Sequence, residues 1–247
     1  MNVLVIPAAG RGSRLKSTYP KVLHPVAGHA MIDYLIRRYQ NVVDRFVLVI
    51  NPQDERIIRE HMESTQIEFG VCFQHEPTGM LDALLQSYND SGVQNADKIW
   101  ITWCDQIGIS QRTVNRICEH FRILGNQPGL ILPVAIKNNP YIHFKRNTAN
   151  KIIQVLQRRE GDSMPDLGEN DCGLFAMSAD VFLKDLKDYS EITNFGSGTG
   201  ERNFLPFIPW YHRRGQILSF EIDNHLESIG VNDQHDMNEI LDTLDIL

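Results

Sequence analysis

The stretch VLVIPAAGRGSRLKSTYPKVLHPVAG, residues 3–28, decides the fold. Four consecutive apolar residues, Val3-Leu4-Val5-Ile6, run straight into a turn made of Ala8, Ala9, Gly10 and Gly12. So short an apolar run, bounded by glycines, predicts a strand buried on both faces, as in a parallel sheet. A glycine-rich turn past such a strand lets backbone N–H groups approach a phosphate closely. Ser13 adds a hydroxyl, and Arg14 offers a guanidinium fork for phosphate oxygens. Pro20 stiffens the chain ahead of Lys21, whose ammonium can reach the same phosphates. Two familiar phosphate loops do not fit. The G-x-x-x-x-G-K-[ST] spacing of a P-loop is absent, and Leu15 holds the third glycine place of the dinucleotide fingerprint G-x-G-x-x-G.

Outward from this stretch, residues 46–50, 99–103 and 130–134 repeat the short buried-strand pattern, while 31–40, 54–62, 81–88 and 112–124 have helical spacing. The alternation predicts an α/β fold: a Rossmann-like, doubly wound, mostly parallel sheet with ligands at the C-terminal ends of its strands. Residues 142–145, 152–157 and 173–177 read as strands with no helix between them, so the sheet is expected to be partly mixed in an acceptor-binding half. The stretches 160–168 and 193–200 read as surface loops or lids. With no internal repeat, the chain reads as a single domain over 1–247. Residues 1–110 with the C-terminal segment form the nucleotide side, and 111–225 the acceptor side.

Composition sets outer limits. At 247 residues and 42% hydrophobic content the chain can bury a substantial core. A net charge of -7 argues against nucleic acid as the main partner. No run approaches 18 apolar residues and MNVLVIPAAG lacks the charged start of a signal peptide, so a cytoplasmic protein with no membrane partner is expected. Cys72, Cys104, Cys118 and Cys172 lack C-x-x-C spacing and read as reduced core thiols, not a disulfide frame or zinc site.

The run AAGRGSRL…YPKVLHPVAGHAMIDYLI resembles the signature of the sugar-phosphate nucleotidylyltransferase family, and is most similar to the N-terminal uridylyltransferase domain of the bifunctional N-acetylglucosamine 1-phosphate enzymes. The resemblance covers nearly the whole chain. QHEPTGMLDALL (74–85) is similar to the family's base-reading segment, ITWCDQIGIS (101–110) to its metal-aspartate strand end, and NDCGLFAM (170–177) to an acceptor-side strand. TGERNFLPFIPW (199–210) and ESIGVNDQHDM (227–237) resemble the closing segment with the second metal ligand. The relatives' acyltransferase domain has no counterpart, so acetyl transfer is not expected of this chain.

The resemblance implies transfer of a nucleoside monophosphate from a nucleoside triphosphate, UTP or CTP, to a small phosphorylated acceptor, a sugar 1-phosphate first among them, with loss of pyrophosphate. Such chemistry needs positioning and positive charge, not a covalent nucleophile. Arg14 and Lys21 are the candidates for that charge. Asp105, just past the apolar run 99–103, and Asn232 are the candidate oxygen ligands for Mg²⁺, with Asp233 and Asp236 as weaker alternatives. Ala8, Ala9, Gly10, Gly12 and Ser13 line the phosphate turn, and Gln74, Thr78 and Gly79 face the base. The acceptor half departs from the N-acetylglucosamine pattern. Gln157 stands where the relatives carry glutamate, Asp171-Cys172-Gly173 where they have asparagine before Thr-Gly, and NNPYIHFKR where they have Gly-Tyr-Gly. His143, Arg158, Asp171, Gly173 and Glu201 are the candidate acceptor contacts. Two other readings stay open: a cytidylyltransferase for a non-sugar phosphate or phosphonate, and a nucleotide-binding regulator without catalysis. A dinucleotide oxidoreductase fails on the third glycine and on Asn51-Pro52, where a ribose-binding acid belongs. Oligomeric state is left open.

Overall fold

The computed structural model describes residues 1–10, 12, 15 and 19–244. In chain order the first half contains β1 (Asn2–Pro7), the small β2 (Pro25–Val26) and β3 (His29–Ala30), α1 (Met31–Tyr39), β4 (Arg45–Ile50), α2 (Glu55–Ser64), β5 (Phe69–Phe73), α3 (Met80–Gln86), α4 (Ser91–Gln94), β6 (Lys98–Thr102) and α5 (Gln111–Leu124). The second half contains β7 (Gly129–Asn138), β8 (Ile142–Arg146), β9 (Ile152–Gln157), β10 (Leu167–Asp171), β11 (Leu174–Ser178), α6 (Leu186–Ile192), α7 (Phe207–Tyr211), β12 (Gln216–Glu221) and α8 (Gln234–Ile240).

Val3, Leu4, Val5 and Ile6 are all fully buried, because β1 lies at the centre of an eight-stranded sheet with parallel neighbours β4 and β6. The strand order is β10-β7-β11-β6-β1-β4-β5, with β12 also paired to β7. β11 runs antiparallel to both β6 and β7, so β7 points the same way as β6, and β12 runs parallel to β7. Six of the eight strands therefore share one direction, and their C-terminal ends share one edge. This is the expected mostly parallel, partly mixed sheet.

Alternation along β1 sends Leu4 and Ile6 to one face and Val3 and Val5 to the other. The first pair packs with apolar side chains of α1, α2, α5 and α8, among them Leu35, Ile58, Ile117 and Ile240. The second pair packs with α3, α6 and α7 through Leu81, Leu186 and Phe207. The helices α5 and α8 each begin at a side-chain cap. Ser110 accepts the Thr113 N–H through its Oγ at 3.2 Å to cap α5, and Asp233 accepts the His235 and Asp236 N–H groups to cap α8.

The structure corrects the expectation in three places. β8 and β9 form their own antiparallel ribbon outside the main sheet, and the mixing comes from β11, the expected strand at 173–177, together with β10. The stretch 160–168 is not loop to its end, since β10 opens at Leu167 and pairs with Asn138. β5, β12, α6 and α7 carry no clear sequence period: Gly70 interrupts β5, and α7 is a five-residue turn of helix with Pro209 inside it.

Candidate active site

The shared C-terminal edge of the sheet opens into a cleft of about 1260 Å³. The end expected to receive the nucleotide is built by the turn after β1. Ala8 donates its N–H to the Val49 carbonyl at 2.7 Å, which extends the sheet by one residue before the chain turns over the edge. Ala9, Gly10 and Gly12 line the cleft; Ala8 itself is buried behind them. Gly12 has φ +56°, and a Cβ there would sit 3.1 Å from Lys21 Cβ, so the turn packs directly on the base of the lysine side chain. Ser13 and Arg14 lie outside the described residues.

Lys21 opens a 3₁₀ turn whose next residues, Val22 and Leu23, are buried. With those two anchored, the Lys21 side chain extends along the cleft floor. Its ammonium donates to Asp105 Oδ2 at 2.5 Å and to Asn232 Oδ1 at 2.8 Å. Residues from three distant parts of the chain thus meet at one nitrogen.

Asp105 sits three residues past β6. Its backbone carbonyl accepts the Val231 N–H at 3.0 Å, which fastens the closing segment beneath it. Asn232 is held on two sides: its N–H donates to Asp236 Oδ2 and its Nδ2 to the Gly230 carbonyl, both at 2.8 Å, leaving Oδ1 turned toward Lys21 and Asp105. Asp236 thus serves as a positioning group for Asn232, and Asp233 has its Oδ1 on the α8 N-terminus. Two oxygens, one of them a carboxylate, converge on a single cationic nitrogen, and a hard divalent cation such as Mg²⁺ suits that donor set. The residues present fit the metal.

Gln74 is only 7% exposed and lines the cleft, with its Nε2 donating to the Gly79 carbonyl at 3.1 Å. Gly79 has φ +127°, and a Cβ there would lie 2.4 Å from the Arg202 carbonyl oxygen. That close approach lets Thr78 accept the Arg202 N–H at 2.8 Å and Leu81 donate to the Arg202 carbonyl at 3.0 Å. Thr78 is therefore a strap to the 199–203 segment rather than a cleft-lining side chain.

Of the candidate acceptor contacts, Asp171 is 7% exposed and lines the cleft, accepting the Gly173 N–H through Oδ2 at 2.9 Å. Burial pushes its carboxyl pKa up. Glu201 lines the mouth and pairs with Arg159 at 3.4 Å. The other acceptor candidates are placed elsewhere. Arg158 Nη2 donates to the carbonyls of Asn139 and Pro140, both at 3.1 Å, so Arg159, not Arg158, borders the cleft. His143 Nδ1 accepts the Glu169 N–H at 3.1 Å and serves to join β8 to β10. Gly173 contributes its carbonyl to the Trp103 N–H, behind the cleft wall.

Two cleft residues carry no family signature. Glu160 accepts from Thr199 Oγ1 at 2.5 Å and from Gly198 N and Asn203 Nδ2 at 2.8 Å, clasping the 196–203 loop. The Thr199 hydroxyl and the accompanying N–H donors hold its carboxyl down at a pKa of about 2. Lys137, near the C-terminal end of β7, also lines the cleft. The signal for Lys137 was available in the sequence: a lone cation closing an apolar strand run emerges at the ligand edge of such a sheet.

A cleft that gathers a glycine turn, an ammonium and metal-type oxygens at the strand ends of a doubly wound sheet defines the nucleotidyltransferase class. A solved structure from Bacillus anthracis, assigned as a glucose-1-phosphate thymidylyltransferase, shares this fold with a TM-score of 0.77 at 17% identity, over 100% of this chain and 97% of that chain. The chain belongs to the MobA-like NTP transferase domain family, whose profile matches residues 4–166. It is 25% identical over 239 residues to the bifunctional protein GlmU of Pseudomonas syringae and 27% identical over 240 residues to that of Pelotomaculum thermopropionicum. Each match covers 96% of this chain and 50% of the relative, so the chain spans half the length of these curated relatives.

Proposed function

We propose that this chain moves a nucleoside monophosphate from UTP or CTP to a small phosphorylated acceptor, a sugar 1-phosphate in the first instance, and releases pyrophosphate. The observation that carries the reading is the convergence of Lys21, Asp105 and Asn232 on one point beside the glycine turn. A phosphate oxygen of the acceptor attacks the α-phosphorus in line. A new O–P bond forms, the bond from the α-phosphorus to the bridging oxygen breaks, and pyrophosphate departs with that electron pair. No proton needs to move.

The chain's own groups act by position and charge. Backbone N–H groups of the 9–12 turn and the Arg14 guanidinium receive the triphosphate, and Lys21 turns its ammonium to the α-phosphoryl oxygens as charge grows there. With Gln74 Nε2 engaged by Gly79, its Oε1 remains to accept an N–H of the base, a role that suits uracil and cytosine alike. Asp105 and Asn232 would hold Mg²⁺, which when bound neutralises phosphate charge and orients the two reacting groups. Asp171 and Glu201 face the acceptor.

A second reading, transfer of CMP to a non-sugar phosphate or phosphonate, draws support from Asp171: a buried acidic side chain lines the cleft where the N-acetylglucosamine enzymes carry the neutral amide of asparagine. Among the described residues no helix is long and apolar enough to cross a membrane. The test is a pyrophosphate-release assay crossing UTP, CTP, GTP, ATP and dTTP with sugar 1-phosphates, phosphocholine and small phosphonates, with and without Mg²⁺. Release confined to one pair and dependent on metal is the expected outcome. Nucleotide binding without release across the panel would support the regulator instead.

A further inference from the structure

The transfer reading requires two phosphate groups to be brought together, and the residues described so far account for the charge on one of them. Three basic side chains other than histidine line the cleft among the described residues: Lys21, Lys137 and Arg159. Lys21 belongs to the triphosphate end. Arg159 is 55% exposed at the mouth and already faces Glu201. Lys137 differs from both.

β7 points the same way as β6, so the end of β7 brings Lys137 to the sheet edge from which Asp105 projects. The Lys137 ammonium donates to the Ser228 carbonyl at 3.0 Å. Ser228 begins the same short segment that carries Val231, bonded to the Asp105 carbonyl, and Asn232, bonded to Lys21. Two ammonium groups, one from the glycine turn and one from β7, therefore grip opposite ends of segment 228–232. Lys137 has three N–H donors and one hydrogen bond among the described residues, which leaves two donors for the cleft. Burial lowers its pKa, against the opposing pull of Asp171, Asp236 and Glu239. A partly buried ammonium with idle donors is costly unless a partner completes it. The partner that the cleft chemistry supplies is an oxyanion.

We propose that Lys137 holds the phosphate of the acceptor, so that the acceptor is a phosphate monoester or phosphonate whose free oxygens accept from the Lys137 ammonium while another attacks. The proposal rests on the transfer reading, and it gives the acceptor phosphate a cation that Arg158, turned onto backbone carbonyls, does not provide.

The probe is inorganic phosphate. Calorimetric titration of phosphate into wild type, Lys137→Met and Lys137→Arg, each with Mg²⁺, is run beside separate titrations of UTP and CTP. Loss of a charge-assisted hydrogen-bonded pair predicts phosphate binding weakened about tenfold or more in Lys137→Met. Lys137→Arg should retain most of it, and triphosphate binding should stay within about twofold in both variants. Unchanged phosphate affinity in Lys137→Met, or an equal loss of triphosphate binding, overturns the assignment. Should Lys137→Met not fold, reductive methylation of the wild type read by mass spectrometry decides: saturating phosphate should protect Lys137, and no protection overturns it. The two readings fail separately. Phosphate binding that depends on Lys137 in a protein that binds no triphosphate would refute the transferase and keep the anion site. Triphosphate binding with phosphate indifferent to Lys137 would do the reverse.

Discussion

Lys21 and Asp105 face each other across 2.5 Å, and each is the other's described ion-pair partner, so removing either leaves a partly buried charge alone as well as a gap in the site. Neither holds up the core. Lys21→Ala and Asp105→Ala should lower turnover by roughly 10²–10³-fold, the usual cost of one preorganised charge. Circular dichroism and a thermal midpoint close to wild type should accompany that loss; near-normal pyrophosphate release from both variants would remove them from the site. Asp171 makes the opposite kind of statement. Its folded pKa is raised, so the folded state takes up a proton more readily than the unfolded chain, and stability falls as pH rises from the ordinary aspartate value through the raised one. Asp171→Asn keeps an oxygen for the Gly173 N–H and removes the buried charge. It should therefore be more stable than wild type near neutral pH in urea melts, with the gap closing as pH falls toward 4. The same variant should raise the acceptor KM and leave the nucleotide KM unchanged.

The loop over 196–203 closes on itself through the Gly196 N–H to the Glu201 carbonyl and the Gly200 N–H to the Gly196 carbonyl, and is fastened from outside by Glu160. Glu160 supplies its anchoring acceptor, and Cβ atoms at Gly196 and Gly198 would come within 2.4 Å of the Glu160 carboxylate and the Arg159 carbonyl. Because the Glu160 pKa is depressed from 4.5 to about 2, the clasp is complete above pH 4.5 and is lost as pH falls toward about 2. Proteolytic cutting within 196–203 should rise across that interval in wild type, and Glu160→Gln should be cut faster than wild type at every pH above it. A Gly79→Ala substitution forces a side chain into a left-handed position against the Arg202 backbone. It should cost about 1–3 kcal/mol in a denaturant melt and raise the nucleotide KM, because the segment proposed to face the base and the loop are strapped together there.

How far the sequence disclosed these elements follows from where their order comes from. β1, β4, β6, α1 and α5 are legible because their own residues carry the period: Val3 to Ile6 are apolar without a break, and α5 buries Val114, Ile117, Phe121 and Leu124 at helical spacing. α6 and α7 are not, since Tyr189, Phe207 and Tyr211 are fixed by packing on one another. The site divides in the same way. Lys21, Asp105 and Asn232 sit in motifs and can be read directly, whereas Arg158 and Arg159 are adjacent and chemically identical, so only the fold decides that Arg159 borders the cleft.

At the scale of the whole molecule, the sheet draws its two faces of core from alternate residues of the same strands, so one central side chain can hold two helices on one face. Trp100 on β6, 1% exposed, packs on Tyr39 of α1 and Phe121 of α5, five residues before Asp105. Trp100→Ala should cost about 3–5 kcal/mol of stability by thermal or urea melt. The contact between Lys21 and its two oxygens has a consequence for the order of events. The chain carries its own counter-ion, tethered and unable to diffuse away, on the seat that a dication would take. That seat is vacated only when the ammonium has another anion to follow, and the incoming triphosphate is such an anion. Metal and nucleotide should then enter as a pair: Mn²⁺ alone should bind weakly by electron paramagnetic resonance, tightly once UTP or CTP is added, and tightly without nucleotide in Lys21→Met. Mn²⁺ affinity indifferent to both nucleotide and Lys21 would show that seat and tether are independent.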